Sequence, residues 1–446
     1  MEDPPFGFEA AIPRALADLP GLKIFGFVAG CSHSAGTGRG SMAEKHRWEF
    51  RPRFRRGAFG WRSQPAEKRV KEAVAEVKKM ARTDPALAAE GAVLFLERVS
   101  PALEHVDSSS GTLGTAVNRA VDALVPIIAT APIAQRRRAA LLERLFEALQ
   151  DDDPPYIETL AEHWGELCAS PALASNWADD LLGTVRLAWS PDPNLRGYFK
   201  GTAACLSALL AAGRHQELLD LLEAAPYALW HYRRFGVMAL VAMGRKAEAL
   251  RYAEASRSRY DRDGPIDRAC EEILLSSGLV EEAYQRYGRK GALRSTYLTT
   301  FRDRVRRYPH LPPETILRDL VASTPGKEGK WFAAAKDAGL LDLALELAAA
   351  SPTDPLTLSR AARDFVEENP AFAVEAGFAS LRWLVEGYGY EITGAHVWVA
   401  YHRTLAAAEA LGRREEVRER IRALVATEVS GELFVNTILG RELGLR

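Results

Sequence analysis

The sequence predicts an all-α fold, an α-solenoid of antiparallel helical hairpins, and three observations carry that expectation. From Leu206 to Gly288 one pattern returns three times: an apolar helical stretch runs into a glycine (Gly213, Gly244, Gly278) and a second helical stretch starts within a few residues. The steps between these glycines are 31 and 34 residues, and the signature returns around Gly339 and Gly412. Such spacing suits stacked units that bury their apolar faces only against neighbours. Helix starts are marked by a polar residue before proline, at Asp84-Pro85, Ser100-Pro101, Asp153-Pro154, Ser170-Pro171, Asp354-Pro355 and Asn369-Pro370. The polar side chain accepts a free backbone N–H, and proline at the first helical position loses no bond by lacking its own. No segment alternates apolar and polar residues between hairpin turns, which argues against a sheet.

Composition narrows the function classes. A chain of 446 residues would hold two or three ordinary domains or a single array. Apolar residues make up 47% and charged residues 26%, the balance of a folded protein. With 58 basic and 59 acidic residues the net charge is −1, so no global field draws the chain to nucleic acid or a membrane surface. No apolar run approaches the roughly 18 residues of a membrane span. Cys31, Cys168, Cys205 and Cys270 are far apart and form no CxxC pair. They are expected as small core residues of a reducing compartment, the bacterial cytoplasm, with no metal and no cofactor.

Residues 1–41 are expected to be a disordered or non-native N-terminal extension. Pro4, Pro5, Pro13 and Pro20 break any long helix, and CSHSAGTGRGS from Cys31 is a glycine/serine stretch. Val28-Ala29-Gly30-Cys31 resembles a lipoprotein cleavage box, but the apolar segment before it is short and Glu2 and Asp3 stand where a secretory signal is basic. Met42 is an alternative start, since MAEKHRWEF opens a segment of different composition.

Residues 42–64 form a basic aromatic arm or N-terminal cap. KHRWEFRPRFRRGAFGWR, from Lys45 to Arg62, holds seven Lys/Arg against Glu49 alone. Arg47, Arg51, Arg53, Arg55 and Arg56 would supply phosphate contacts, and Trp48 and Trp61 stacking surfaces for unpaired bases. The competing expectation is that the aromatics, with Phe50, Phe54 and Phe59, close the open end of the first helices while the arginines stay solvated.

Residues 65–190 read as irregular helical hairpins. PAEKRVKEAVAEVKKMAR puts Val70, Ala73, Val74, Val77 and Ala81 on one face with Lys and Glu opposite. DSSSGTLG from Asp107 has the glycines of an anion cradle at a helix N-terminus but not the GKS/GKT ending of a phosphate loop, so serine caps are expected there. GKEGKW from Gly326 likewise lacks that loop's spacing. In DDDPP, from Asp151, one aspartate is expected as a cap and the others as solvated. His163 and Cys168 lie roughly 140° apart around a helix and so do not share a metal.

Residues 195–288, about 326–350 and 395–427 resemble tetratricopeptide repeats. The family's turn glycine matches Gly213, Gly244, Gly278, Gly339 and Gly412, and its small residue five positions on matches Ala249, Ala283 and Ala344, with Leu218 and Val417 in the other two copies. The Trp, Gly and Tyr positions of the family's first helix are not filled, and residues 65–190 are similar to HEAT-like hairpins instead. The resemblance implies a right-handed superhelix with TPR-like repeats over 191–350 and further hairpins over 351–446. It also implies a concave groove lined by first-helix residues: Arg196, Tyr198, Lys200, Trp230, His231, Tyr232, Arg233, Arg234, Arg268, Lys330 and Trp331. Aromatic anchors beside guanidinium groups would suit an acidic or C-terminal peptide.

The expected function is therefore a noncatalytic protein–protein interaction scaffold, with a protein or peptide partner in that groove. The alternative is a nucleic-acid-associated protein acting through residues 45–62. An enzyme is a third expectation; no nucleophile elbow, dinucleotide fingerprint or histidine–carboxylate motif is visible for one. Gly387, Gly389, Trp383, Tyr388, Tyr390, Trp398 and Tyr401 interrupt the repeat texture late in the chain, as a docking surface or a packed turn.

Overall fold

Apolar residues three and four apart recur along most of this chain, and each such stretch is a helix in the computed structural model, which describes residues 46–257, 263–290, 296–429 and 433–445. Among the described residues every regular element is helical. Packing separates two units, Met1–Arg245 and Lys246–Arg446. That division lies between the helices flanking Gly244 and does not follow the textural boundaries at 190 and 350. The N-terminal extension, Cys31, Met42 and Lys45 lie outside the described residues.

The first unit begins with α1 (Ser63–Ala81), α2 (Pro85–Leu103), α3 (Thr112–Thr130) and α4 (Gln135–Gln150). A 3-10 turn at Glu158–His163 runs into α5 (Trp164–Cys168), and α6 (Pro171–Ala188), α7 (Thr202–Ala211), α8 (His215–Glu223) and α9 (Trp230–Ala242) follow. Two rows of helices form: α1, α3, α5, α7 and α9 pack in succession, and α2 packs on α4. Helix α1 shows why, since Ala66, Val70, Ala73 and Val77 share one buried face. Further along, Trp164 meets Trp177 edge-on with ring centroids 5.0 Å apart, and Phe146 lies 5.3 Å from Trp177, tying α4, α5 and α6 together.

The second unit holds α10 (Lys246–Ala255), α11 (Asp263–Leu275), α12 (Val280–Ala283) with a π-turn at Tyr284–Gly288, α13 (Tyr297–Arg307) and α14 (Pro313–Ala322). A 3-10 turn at Glu328–Trp331 leads into α15 (Phe332–Asp337). Then come α16 (Leu341–Ala350), α17 (Pro355–Asp364), α18 (Pro370–Val385), α19 (Gly394–Ala410), α20 (Arg414–Ala426) and α21 (Phe434–Leu439). The alternation continues here, α13 on α15 and α17 on α19 in one row, α16 on α18 and α18 on α20 in the other.

The turn glycines have one conformation and one reason. Gly213, Gly244, Gly278, Gly339 and Gly412 all have φ between 68° and 77°, the left-handed region that glycine enters without a Cβ penalty. In each, the next residue's N–H reaches back to the carbonyl five residues earlier, as in Arg214 to Leu209 at 3.0 Å and Arg413 to Ala408 at 2.9 Å. This is the Schellman closure that satisfies the last carbonyls of a helix. A Cβ at Gly213 would meet open space, so Gly213→Ala is expected to cost only the left-handed strain, about 1–2 kcal/mol. Chemical denaturation of the variant checks this; a loss near zero would show that the turn relaxes. The positions five residues after these glycines, Leu218, Ala249, Ala283, Ala344 and Val417, are fully buried, as close helix crossing requires.

Caps follow the expectation at four of the six proline sites. Asp84, Ser170, Asp354 and Asn369 accept from the N–H three residues on, at 2.9, 3.3, 2.9 and 3.0 Å. Ser100-Pro101 is a correction. Pro101 lies inside the last turn of α2, where the helix ends two residues later and only one hydrogen bond is lost. Asp153-Pro154 begins no helix either. The neighbouring Asp152, 1% exposed, instead holds the loop after α4, its carboxylate accepting from Tyr156 and Ile157 N–H at 3.0 and 2.8 Å. Burial pushes this carboxyl above the usual range, and hydrogen bonds from Ser100, Ile157 and Tyr156 work against that. The serines after Asp107 also depart from expectation: α3 starts after Gly111 with no side-chain cap.

Two buried cations lock helices together. Arg138, 6% exposed, donates to the carbonyls of Ile128 and Ala131 at 2.8 Å and Leu167 at 3.2 Å. It thereby closes the C-terminal ends of α3 and α5 at once. In the second unit Glu271, 2% exposed, accepts from Arg304, from the Tyr308 hydroxyl at 2.6 Å and from Arg307 at 3.5 Å, joining α11 to α13.

Candidate functional site

Three aromatics of the basic arm pack into the first unit. Trp48, Phe50 and Phe54 are at most 4% exposed and belong to the core of the first unit. Phe50 and Phe54 meet Phe95 of α2 edge-on, at 5.8 and 5.1 Å. The Trp48 indole lies where a side chain on Gly91 would stand, an added Cβ falling 2.1 Å from its ring. Glu76 of α1 holds the arm by accepting from Glu49 and Phe50 N–H at 2.8 and 3.1 Å. Trp48 is thus corrected from stacking platform to core, because its ring is worth more against α2 than in water. Of the expected contacts, Trp61 is 73% exposed, and Arg47, Arg51 and Arg55 also face solvent. Arg53 pairs with Glu72 at 3.2 Å and Arg56 with Glu104 at 3.1 Å.

The expected groove residues fall in both units. Arg196, Tyr198, Lys200 and Trp230 to Arg234 belong to the first, and Arg268, Lys330 and Trp331 to the second. Trp230 is 8% exposed and Trp331 has no exposed surface, so both are corrected from groove anchors to core. Trp331 donates to the Thr324 hydroxyl at 2.8 Å. Several polar groups are spent inside the fold. Lys200 donates to the carbonyls of Gln150 and Asp152 at 2.9 and 2.7 Å, closing α4. Arg196 donates to the Ser190 and Pro191 carbonyls, and the Tyr198 hydroxyl to Glu158 at 2.8 Å. Arg234 pairs with Glu162 at 2.6 Å. Tyr232 is half-buried between His231, 3.8 Å away, and Trp189, 5.4 Å away; burial and the nearby Glu158 push its phenol pKa up. Arg233 and Arg268 are half-buried and Lys330 is exposed.

The late aromatic cluster is largely a packed turn. Trp383 is 6% exposed and donates to the Ala348 carbonyl at 2.9 Å, and Tyr401 is 1% exposed. Gly387, at φ 81°, closes α18 as the other turn glycines close their helices. Tyr390 stays 82% exposed.

An open groove of the first unit lies between α1 and α3. It holds about 730 Å³ and is floored by Val74, Ala75, Ala116 and Ala123, with Val70 and Ala120 buried beneath them, and rimmed by Lys71, Lys78 and Arg119. The short alanine side chains leave the space. The three rim cations are exposed and make no hydrogen bond or ion pair with any described residue. Glu67, the acidic residue of the lining, accepts from the Thr112 hydroxyl at 2.6 Å, so the i,i+4 pair it could make with Lys71 is not formed.

Sequence reasoning placed these lysines on a solvated face and missed the groove. One signal was legible: Lys78 has no acidic residue three or four positions away on either side. That it lines one groove with Arg119 was not, because this depends on α1 lying against α3.

Among the described residues no group of three His, Cys, Asp or Glu could hold a metal ion. His163 lies 3.7 Å from Asp122 and 3.5 Å from Glu166. Cys168, Cys205 and Cys270 are buried and unpaired, and burial pushes the Cys168 and Cys205 thiols up to about 12. No described helix is long and apolar enough to cross a membrane. Comparison with known protein families, with curated proteins and with solved structures finds no match for this chain.

Proposed function

We propose that this protein is a noncatalytic interaction scaffold whose partner polypeptide lies in the groove between α1 and α3. The observation that carries the reading is the groove itself, an open apolar floor bounded by unpaired cations on two helices. A concave, mostly apolar surface with a few fixed polar groups is the usual form of a binding site. Helical hairpins supply such surfaces without bringing reactive groups together. We read the hairpins turning on Gly213, Gly244, Gly278, Gly339 and Gly412 as TPR-like and the earlier ones as HEAT-like. Single buried thiols favour a reducing compartment such as the cytoplasm. The nucleic-acid alternative loses most of its stacking surface with Trp48, Phe50 and Phe54 in the core.

Photo-cross-linking tests the scaffold reading. A benzophenone side chain at Ala75 or Ala116, in cells that make the protein, is expected to trap a polypeptide that nuclease does not remove. The same group at Arg136, exposed on α4, is the control. Adducts equal at all three positions, or none at Ala75 and Ala116, would remove the reading.

A further inference from the structure

We infer that the groove between α1 and α3 takes an acidic amphipathic helix, its apolar side on the alanine and valine floor and its carboxylates on Lys71, Lys78 and Arg119. This rests on the scaffold reading and adds the chemistry of the partner. The argument is a comparison of two faces of one unit. On the face made by α2 and α4, Arg137 and Arg144, seven residues apart, meet Glu90 and Glu97, also seven apart: Arg137 Nε lies 2.8 Å from Glu90, and Arg144 makes a bidentate pair with Glu97 at 2.6 Å. On the face made by α1 and α3 the same spacing recurs with Lys71 and Lys78, but the side chain offered across the groove is Arg119. The first face is neutralised by its own chain. The second has its cations at the rim of the groove, and the one carboxylate of its lining, Glu67, bonds Thr112 and pairs with none of them.

The spacing and the floor specify what would complete it. Lys71 and Lys78 stand two helical turns apart, about 10.5 Å along the axis, so a helix laid in the groove presents carboxylates at matching intervals. The floor has small apolar side chains and, among its lining residues, no aromatic ring. Bases of single-stranded nucleic acid would find nothing to stack on there, whereas the leucine or alanine ridge of an amphipathic helix would pack.

The test uses the full-length chain and a phage library of random peptides of about 20 residues, about the length of α1. Selected peptides are synthesised with a fluorescent label and their binding is followed by anisotropy. Enrichment of Asp and Glu on one face is expected, with binding that weakens as salt rises. The triple variant Lys71→Glu, Lys78→Glu, Arg119→Glu, all exposed positions, is expected to weaken binding about tenfold or more, while circular dichroism stays unchanged. Ala75→Trp, which fills the groove, is expected to abolish it. Neutral or basic peptides that Ala75→Trp blocks would overturn the acidic partner and leave the scaffold reading standing. Selection of no peptide, or of peptides indifferent to Ala75→Trp, would overturn both. A labelled oligouridylate bound more tightly than any peptide, and lost in the triple variant, would overturn the inference in favour of nucleic acid.

Discussion

Glu271→Ala is expected to lower the stability of the second unit by about 3–5 kcal/mol, because it leaves the Arg304 guanidinium buried without its counter-charge. The carboxylate is 2% exposed and the Arg304 side chain 11%, so water cannot replace the lost partner. The Tyr308 hydroxyl and Arg307 lose an acceptor in the same step. Denaturant unfolding of the full-length protein, with hydrogen exchange of α11 and α13 to assign the transition, measures the loss. A double variant removing both charges, Glu271→Leu with Arg304→Met, is expected to be more stable than either single variant, since no orphaned charge remains. For contrast, Arg318, paired with Glu314 at 2.9 Å with both side chains about half exposed, is expected to change stability by less than about 1 kcal/mol when truncated. A loss below about 1 kcal/mol for Glu271→Ala would show that the cluster opens to water and is not a lock.

Arg138→Met is the counterpart in the first unit, with an expected cost of about 3 kcal/mol or more. Methionine keeps much of the volume and removes every donor, so three hydrogen bonds from a charged group are lost, each worth roughly 1.5–3 kcal/mol; the Ile128 and Ala131 carbonyls keep backbone donors, from Ala131 N–H at 3.4 Å and Ile133 N–H at 2.9 Å. The site has no carboxylate to hold the guanidinium. Helix C-termini hold it instead, through the negative end of the backbone dipole, while burial lowers its pKa. Arg138→Lys is expected to recover only part of the loss, because one ammonium cannot span carbonyls that a planar fork reaches together. Thermal unfolding ranks the variants. Equal stability of the Lys variant and the parent would show that charge, not the fork, is what the site uses.

These two clusters mark how much was legible in advance. The helices and turns were legible because their causes are local. Val70, Ala73 and Val77 share a face through helical spacing alone, and Gly213 closes α7 by a hydrogen bond within five residues. Asp84, Ser170, Asp354 and Asn369 cap within three residues of themselves. The arm was legible only as two alternatives, and the burial of Trp48, Phe50 and Phe54 against α2 appeared only in the tertiary structure.

The sequence by itself determined the helical class, the hairpin turns and most of the caps. Tertiary structure decided which charges are spent and which remain. Glu67 bonds Thr112, 45 residues away, and not Lys71, four residues away. Lys200 and Arg234, expected in a groove, are consumed closing α4 and pairing Glu162, while Lys71, Lys78 and Arg119 remain unpaired. Helical periodicity and turn conformation are set within a few residues of backbone. The partner of a charged side chain depends on which helix packs beside it, and that apposition is set by burial across the whole unit.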